Sequence, residues 1–163
     1  MNTTTSGLPL QNAKLEQPPT HIPDGNGGCY KTELALVRTP EYTEKILWWH
    51  KDDPRKEPHN HPWDFISTII SGGYTEDRWW LENGELKKET KTYRAGDENL
   101  VPSYVYHVVY DVQPKTVTNL KCGRASEGNS WGYLDLETLE HVPATSDPSF
   151  LEELRKINPH LRK

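Results

Sequence analysis

Three histidines stand where residue type and spacing point to metal chemistry. His59 and His61 form a His-x-His pair just ahead of the apolar run 65–70, and His107 lies inside the β-like run 104–111. Alternate side chains of an extended segment share one face, so the pair projects both rings to one side, about 7 Å apart along the backbone. Both can then reach one ion. His107 shares its face with Val105 and Val109, while Tyr106, Val108 and Tyr110 take the other, which aims its imidazole at an apolar interior. Alone, such a residue reads as a core histidine satisfied by a backbone hydrogen bond; beside the pair it reads as a third ligand. Asp64 is the adjacent carboxylate. Parity turns it away from the two histidines unless Pro62-Trp63 forms a bulge, so it is either a further ligand or a turn residue holding Trp63 or a backbone amide.

Other side chains qualify as neighbours of such an ion. Tyr74, Glu76, Arg78 and Trp80 share one parity. If that face is interior, Arg78 is placed to bind a substrate carboxylate or phosphate; if exterior, it is a solvated or cross-strand paired residue. Trp63 is a second candidate for substrate contact. Tyr104 and Tyr106 bracket the approach to His107, and a phenol there serves as an acid, orients a bound oxygen, or packs. Lys51 through Glu57 is a charge cluster around Pro54 and reads as a solvated loop. Three neutral imidazoles leave open positions on a divalent metal. They suit iron(II), zinc, nickel, manganese and copper alike, and spacing does not choose among these.

The elements that must position these residues are mostly strands. Short β-rich runs at 30–38, 44–49, 65–70, 74–81, 85–93, 98–101, 105–112, 116–121 and 130–134 are separated by turn residues, which predicts an all-β sandwich or barrel. Asn83-Gly84 is the strongest turn signal, because both residues tolerate the positive φ of a two-residue hairpin. One helix is expected over 148–156, capped by Asp147, started by Pro148 and stopped at Asn158-Pro159. The expected organisation is a mobile arm over 1–28, rich in Thr, Pro, Gly and Asn, a barrel over 29–145, and a helix and tail over 146–163.

Composition bounds the function. About a third of the 163 residues are apolar, below the roughly 45–50% of ordinary globular chains, and six Trp and eight Tyr compensate with large buried areas. A formal net charge of −5 argues against nucleic acid as a main partner. No apolar run reaches the roughly 18–20 residues of a membrane span, and the N-terminus shows no secretory pattern, so the expectation is a cytoplasmic protein with no membrane partner. Cys29 and Cys122 form no framework. A thin core, outward tryptophans and the stripe Phe150, Leu151 and Leu154 lead us to expect a homodimer.

The motifs resemble a known superfamily. Gly96, Pro102, Ser103, Tyr104, His107 and Asp111 resemble the second cupin motif, with Tyr104 at a usual Gly and Asp111 at a usual Asn. His59-x-His61 followed by Gly72 resembles the first, with Phe65 or Ile66 in the slot of the usual acidic ligand. A closer likeness, through His59-Asn60-His61-Pro62-Trp63, Gly72-Gly73-Tyr74 and Trp131-Gly132-Tyr133, is to small cupin-like proteins of bacteria and phages. The resemblance implies an all-β cupin (jelly-roll) barrel with one C-terminal helix. It also implies a metal-dependent enzyme of the non-haem iron oxygenase or dioxygenase kind, acting on a small polar molecule. A three-histidine centre is similar to that of the thiol dioxygenases, whereas Asp64 as a ligand brings the site nearer the histidine–carboxylate iron pattern. Two rivals stand beside it: a metal-independent isomerase or epimerase of the sugar-nucleotide kind, with a motif histidine as base and Tyr104 or Tyr106 as acid, and a non-catalytic module that binds a small ligand.

Overall fold

The computed structural model describes residues 18–144 and 148–162. Most of the expected arm, residues 1–17, and the expected cap Asp147 lie outside the described residues. Within them the strands are β1 (Thr20–Pro23), β2 (Cys29–Arg38), β3 (Thr43–Trp49), β4 (Phe65–Ser71), β5 (Gly73–Glu82), β6 (Glu85–Arg94), β7 (Glu98–Val101), β8 (Tyr106–Tyr110), β9 (Thr116–Cys122), β10 (Gly132–Leu134) and β11 (His141–Pro143). The helix α1 (Pro148–Ile157) and a short 3-10 turn (Pro159–Arg162) follow. The nine expected strands all form, with ends shifted by at most two residues. Two more, β1 and β11, were not legible as patterned runs. No described helix is long and apolar enough to cross a membrane.

Two antiparallel sheets face each other. One has the order β1-β2-β3-β9-β4-β7, the other β6-β5-β8. The β10-β11 hairpin joins the second sheet through His59, whose backbone bridges to His107 on one side and Tyr133 on the other. Cross-strand partners share a face. Register therefore puts Phe65, Val101 and Cys122 together, with Ser67, Leu120 and Asn99 beside them, and then Lys45, Leu47 and Trp49 opposite Ala35, Glu33 and Lys31. On the second sheet Glu76 and Arg78 oppose Val109 and His107. These faces meet in an interior where Phe65, Val101, Val105 and Cys122 form one apolar cluster and Ile69, Tyr74, Tyr93 and Val109 another.

Local chemistry sets the turns. Asn83 (φ 51°) and Gly84 (φ 79°) form the expected hairpin between β5 and β6. Gly72 sits at φ 69°, and a Cβ there would meet Thr116 Oγ1 at 2.3 Å, so only glycine lets β5 leave β4 against β9. The adjacent tryptophans split as strand parity demands: Trp80 packs inward against the Phe65 cluster, and Trp79 packs outward on Val108 and Leu134. Trp79 is thus covered by its own chain and leaves no bare ring for a partner.

The expected arm is shorter than its composition suggests. Thr20–Pro23 pair with β2, and Asn158, fully buried, clamps this edge strand to the end of α1. His21 N–H donates to Asn158 Oδ1 at 2.7 Å, and Asn158 Nδ2 donates to the His21 carbonyl at 2.6 Å and to that of Leu154 at 3.2 Å. Polar clamping holds the segment where apolar burial would not. Replacing Asn158 with Ala orphans two His21 backbone groups, for an expected loss of about 2–3 kcal/mol. At this size that is a melting temperature lower by roughly 4–12 °C, and an unchanged melting curve would show that β1 does not depend on the clamp.

Candidate metal centre

The three histidines converge. One ring nitrogen from each of His59, His61 and His107 lies within 4.8 Å of the others, and together they can hold a metal ion. His107 projects from β8; His59 and His61 come from the segment that runs between β8 and β10. His59 is locked by its neighbours on both edges: its N–H donates to the His107 carbonyl at 3.2 Å and its carbonyl accepts from the His107 N–H at 2.8 Å. On the other edge Leu134 N–H reaches the Pro58 carbonyl at 2.9 Å, and Asn60 Oδ1 accepts from Gly132 N–H at 2.8 Å.

The far ring nitrogens settle which atoms face the centre. His107 Nδ1 lies 2.6 Å from Glu76 Oε1, and His59 Nδ1 lies 3.2 Å from the Glu57 carbonyl. Both partners accept, so each Nδ1 carries the proton and each Nε2 is left with its lone pair. The Nε2 atoms of His61 and His107 are 3.2 Å apart. Two nitrogens about 2.1 Å from one ion stand about 3.0–3.4 Å apart, so the His61–His107 pair fits a divalent ion of zinc or iron size.

Electrostatics favour ligands without protons. Burial, then the Arg55 charge and His107, push the His59 imidazole down to about 2. His61 is held well below the usual imidazole range by burial, then by His107 and His59, with Arg55 and Lys31 adding to the effect. Glu76 is 1% exposed, and burial alone would raise its pKa; the His107 hydrogen bond and the Arg78 guanidinium outweigh burial and lower it.

The structure sorts the remaining candidates. Asp64 is exposed, accepts from Ser103 N–H at 2.7 Å and stands outside the three-histidine group, the turn role foreseen as an alternative. The slot of the usual acidic ligand holds the Phe65 ring, edge-on to His61 with centroids 5.2 Å apart. Arg78 does face inward, and its nitrogens reach Glu76 Oε2 (2.5 and 3.1 Å), Asn99 Oδ1 (2.5 Å) and the Leu100 carbonyl (3.1 Å), which makes it a support for Glu76. Tyr104 is 64% exposed, and Tyr106 points to the opposite face and meets His141 Nδ1 at 2.9 Å, so neither phenol is brought to the histidines as an acid there. Trp63 lies beside the centre, its ring 5.8 Å from that of His61.

Two residues were missed. Glu76 shares the parity of Arg78, so its inward aim was readable, but the meeting with His107 depends on register between β5 and β8. Asp53 was read as part of a solvated loop, yet it is 2% exposed, bound to Arg55, with Oδ2 3.8 Å from His59 Nε2. No local signal marks it, because its burial comes from the loop folding back on the barrel.

Comparison with known proteins follows the geometry. HppE in its Fe(II) form resembles 66% of this chain at TM-score 0.50 and 16% identity, and the chain spans 56% of its length. An RmlC-like cupin from Shewanella frigidimarina (TM-score 0.48, 20% identity, 69% of this chain and 87% of that one) and KdgF from a Halomonas species (0.49, 14%, 69% and 91%) are also similar. The chain has an all-β jelly-roll fold. At these identities the likeness concerns the fold alone. No protein-family model and no curated protein matches the sequence.

The buried neutral imidazoles carry a stability consequence. An unfolded histidine takes its proton near pH 6.5, whereas His59 in the folded protein is pushed down to about 2. Below pH 6.5 the unfolded chain therefore binds more protons, and stability falls with pH by about 1.4 kcal/mol per unit for each proton excluded. Metal-free protein is expected to show a lower urea midpoint at pH 5 than at pH 7. An equal midpoint would mean the rings accept protons without opening the barrel.

Proposed function

We propose that this cupin is a metal-dependent enzyme, a non-haem iron oxygenase or dioxygenase acting on a small polar molecule, with His59, His61 and His107 as the ligands. The observation that carries the reading is the convergence of three imidazole nitrogens within 4.8 Å, two with their tautomer set by a carboxylate and a carbonyl. The Fe(II) in HppE, a protein of similar fold, supports iron as the metal. Iron held by His59, His61 and His107 would supply redox chemistry there. The protein's own groups prepare the place. Glu76 fixes the His107 ring and proton, Arg78 and Asn99 hold Glu76, Phe65 packs edge-on against His61, and Trp63, beside His61, is our candidate for substrate contact. An epimerase reading gains nothing from the geometry, since neither Tyr104 nor Tyr106 is positioned as an acid at the histidines.

The test is elemental analysis of anaerobically purified protein, followed by oxygen uptake with candidate substrates. Near-stoichiometric iron with substrate-dependent uptake is expected. Stoichiometric zinc, nickel, copper or manganese that iron cannot displace anaerobically would overturn the iron assignment, and bound iron without uptake would overturn the enzymatic one.

Single substitutions separate ligand from bystander. His59→Ala, His61→Ala and His107→Ala should each lower metal affinity at least 100-fold in a folded barrel, because two neutral nitrogens hold a divalent ion poorly against water. Asp64→Asn should retain the metal. Loss in Asp64→Asn with retention in His59→Ala, read by metal titration, would reassign the centre. Glu76→Gln keeps the shape but weakens the hold on His107, and outer partners of this kind are worth about 10–100-fold in affinity.

A further inference from the structure

Positive side chains outnumber negative ones around the three histidines. Register places Lys31, Glu33 and Lys45 on the inner face of β2 and β3, with side chains only 14%, 17% and 20% exposed. One carboxylate serves two ammonium groups: Glu33 Oε1 lies 3.4 Å from Lys31 Nζ and Oε2 lies 3.0 Å from Lys45 Nζ. The Lys31 ammonium is further supported by ring faces, 5.4 Å from the Tyr30 centroid and 5.2 Å from that of Trp49. Tyr30 also accepts, through its hydroxyl, a hydrogen bond from Arg55 Nη2 at 3.2 Å. Lys31 and Arg55 thus sit at one tyrosine, and Asp53 Oδ2 lies between Arg55 Nη2 at 2.7 Å and His59 Nε2 at 3.8 Å. Lys45 is opposite Leu120, which packs on the cluster of Phe65, the ring packed on His61 and His107. The basic groups and the histidines therefore share one interior.

The charge balance there is uneven. Among the described residues, Lys31, Lys45 and Arg55 face Glu33 and Asp53, while Arg78 and Glu76 cancel. One positive charge is left over, and a divalent ion on neutral imidazoles adds two. Arg55 engages Asp53 through Nε and Nη2 and lies over the Trp131 ring, 5.5 Å from its centroid. Unpaired charge in a low-dielectric interior is strongly unfavourable, and an anion relieves it where a neutral molecule does not. Glu33 and Lys45 also line a gap of about 20 Å³ with Thr20, Ala35 and Arg38, roughly the space of one water or one oxyanion oxygen.

We infer that the interior beside the histidines is an anion subsite, and that the substrate is a small organic acid whose carboxylate, phosphate or phosphonate is received by Lys31, Lys45 and Arg55. This rests on the metal-centre reading for the place of the reacting end, but not for the binding of the anion.

Calorimetric titration of the full chain, metal-free and zinc-loaded, tests it with phosphate, acetate and ethylene glycol at constant ionic strength. Phosphate or acetate should bind saturably to both forms, ethylene glycol to neither. Lys31→Met, Lys45→Met and Arg55→Gln should each weaken the anion at least tenfold, and Lys88→Met, on an exposed side chain, should leave it unchanged. Should Lys31→Met not fold, Lys31→Arg keeps the charge and should keep the binding. Anions that bind no better than ethylene glycol, or equally in every variant, overturn the inference. Anion binding in a protein that holds no metal upholds the subsite and removes the metal centre; stoichiometric metal without anion binding does the reverse.

Discussion

The carboxylate of Glu76, buried between the two sheets, ties His107 on one to Asn99 on the other. Its Oε1 meets His107 Nδ1 at 2.6 Å, while Oε2 takes Arg78 and Asn99 at 2.5 and 3.2 Å. Asn99 lies on β7 of the larger sheet and donates also to the Tyr74 hydroxyl at 3.1 Å. A charge at 1% exposure is tolerable only when every lone pair is engaged. That demand fixes the register of β5 against β8, the inward turn of Arg78 and the orientation of one imidazole together.

Acidity in this barrel lies outside the donor set. Phe65 occupies the position where related motifs carry a carboxylate, so the three-histidine group contains no anion. Glu76 stands behind His107, whereas Asp53 lies at the ligating edge of His59, its Oδ2 3.8 Å from Nε2. Each is matched by its own arginine, Arg78 and Arg55.

Much of this was legible from period and spacing. Alternation gave nine strands, the Asn83-Gly84 turn and the shared face of His107 with Val105 and Val109, because a pleated strand leaves little choice once one side is buried. His59, His61 and His107 followed from type and spacing. What escaped depended on contacts distant in sequence. The clamp of Asn158 on His21 spans 137 positions, and nothing in the stretch around His21 announces a polar partner. The role of Arg78 likewise turned on Glu76 and Asn99 lying within reach, and the burial of Asp53 on a loop whose composition resembles solvated ones. Tyr106 is the opposite case, since parity already put it on the face away from His107.

His59 is also a splice. Its backbone joins β8 to β10, so the second sheet is continuous only through a residue whose side chain belongs to the centre. During synthesis all three imidazoles have emerged by residue 107, whereas the strand that flanks His59 on its other edge arrives 25 residues later. The nascent barrel therefore owns its full donor set before it owns the clamp that immobilises it. A chain ending ahead of Gly132 would lack no histidine of the group, yet one edge of His59 would be left facing water.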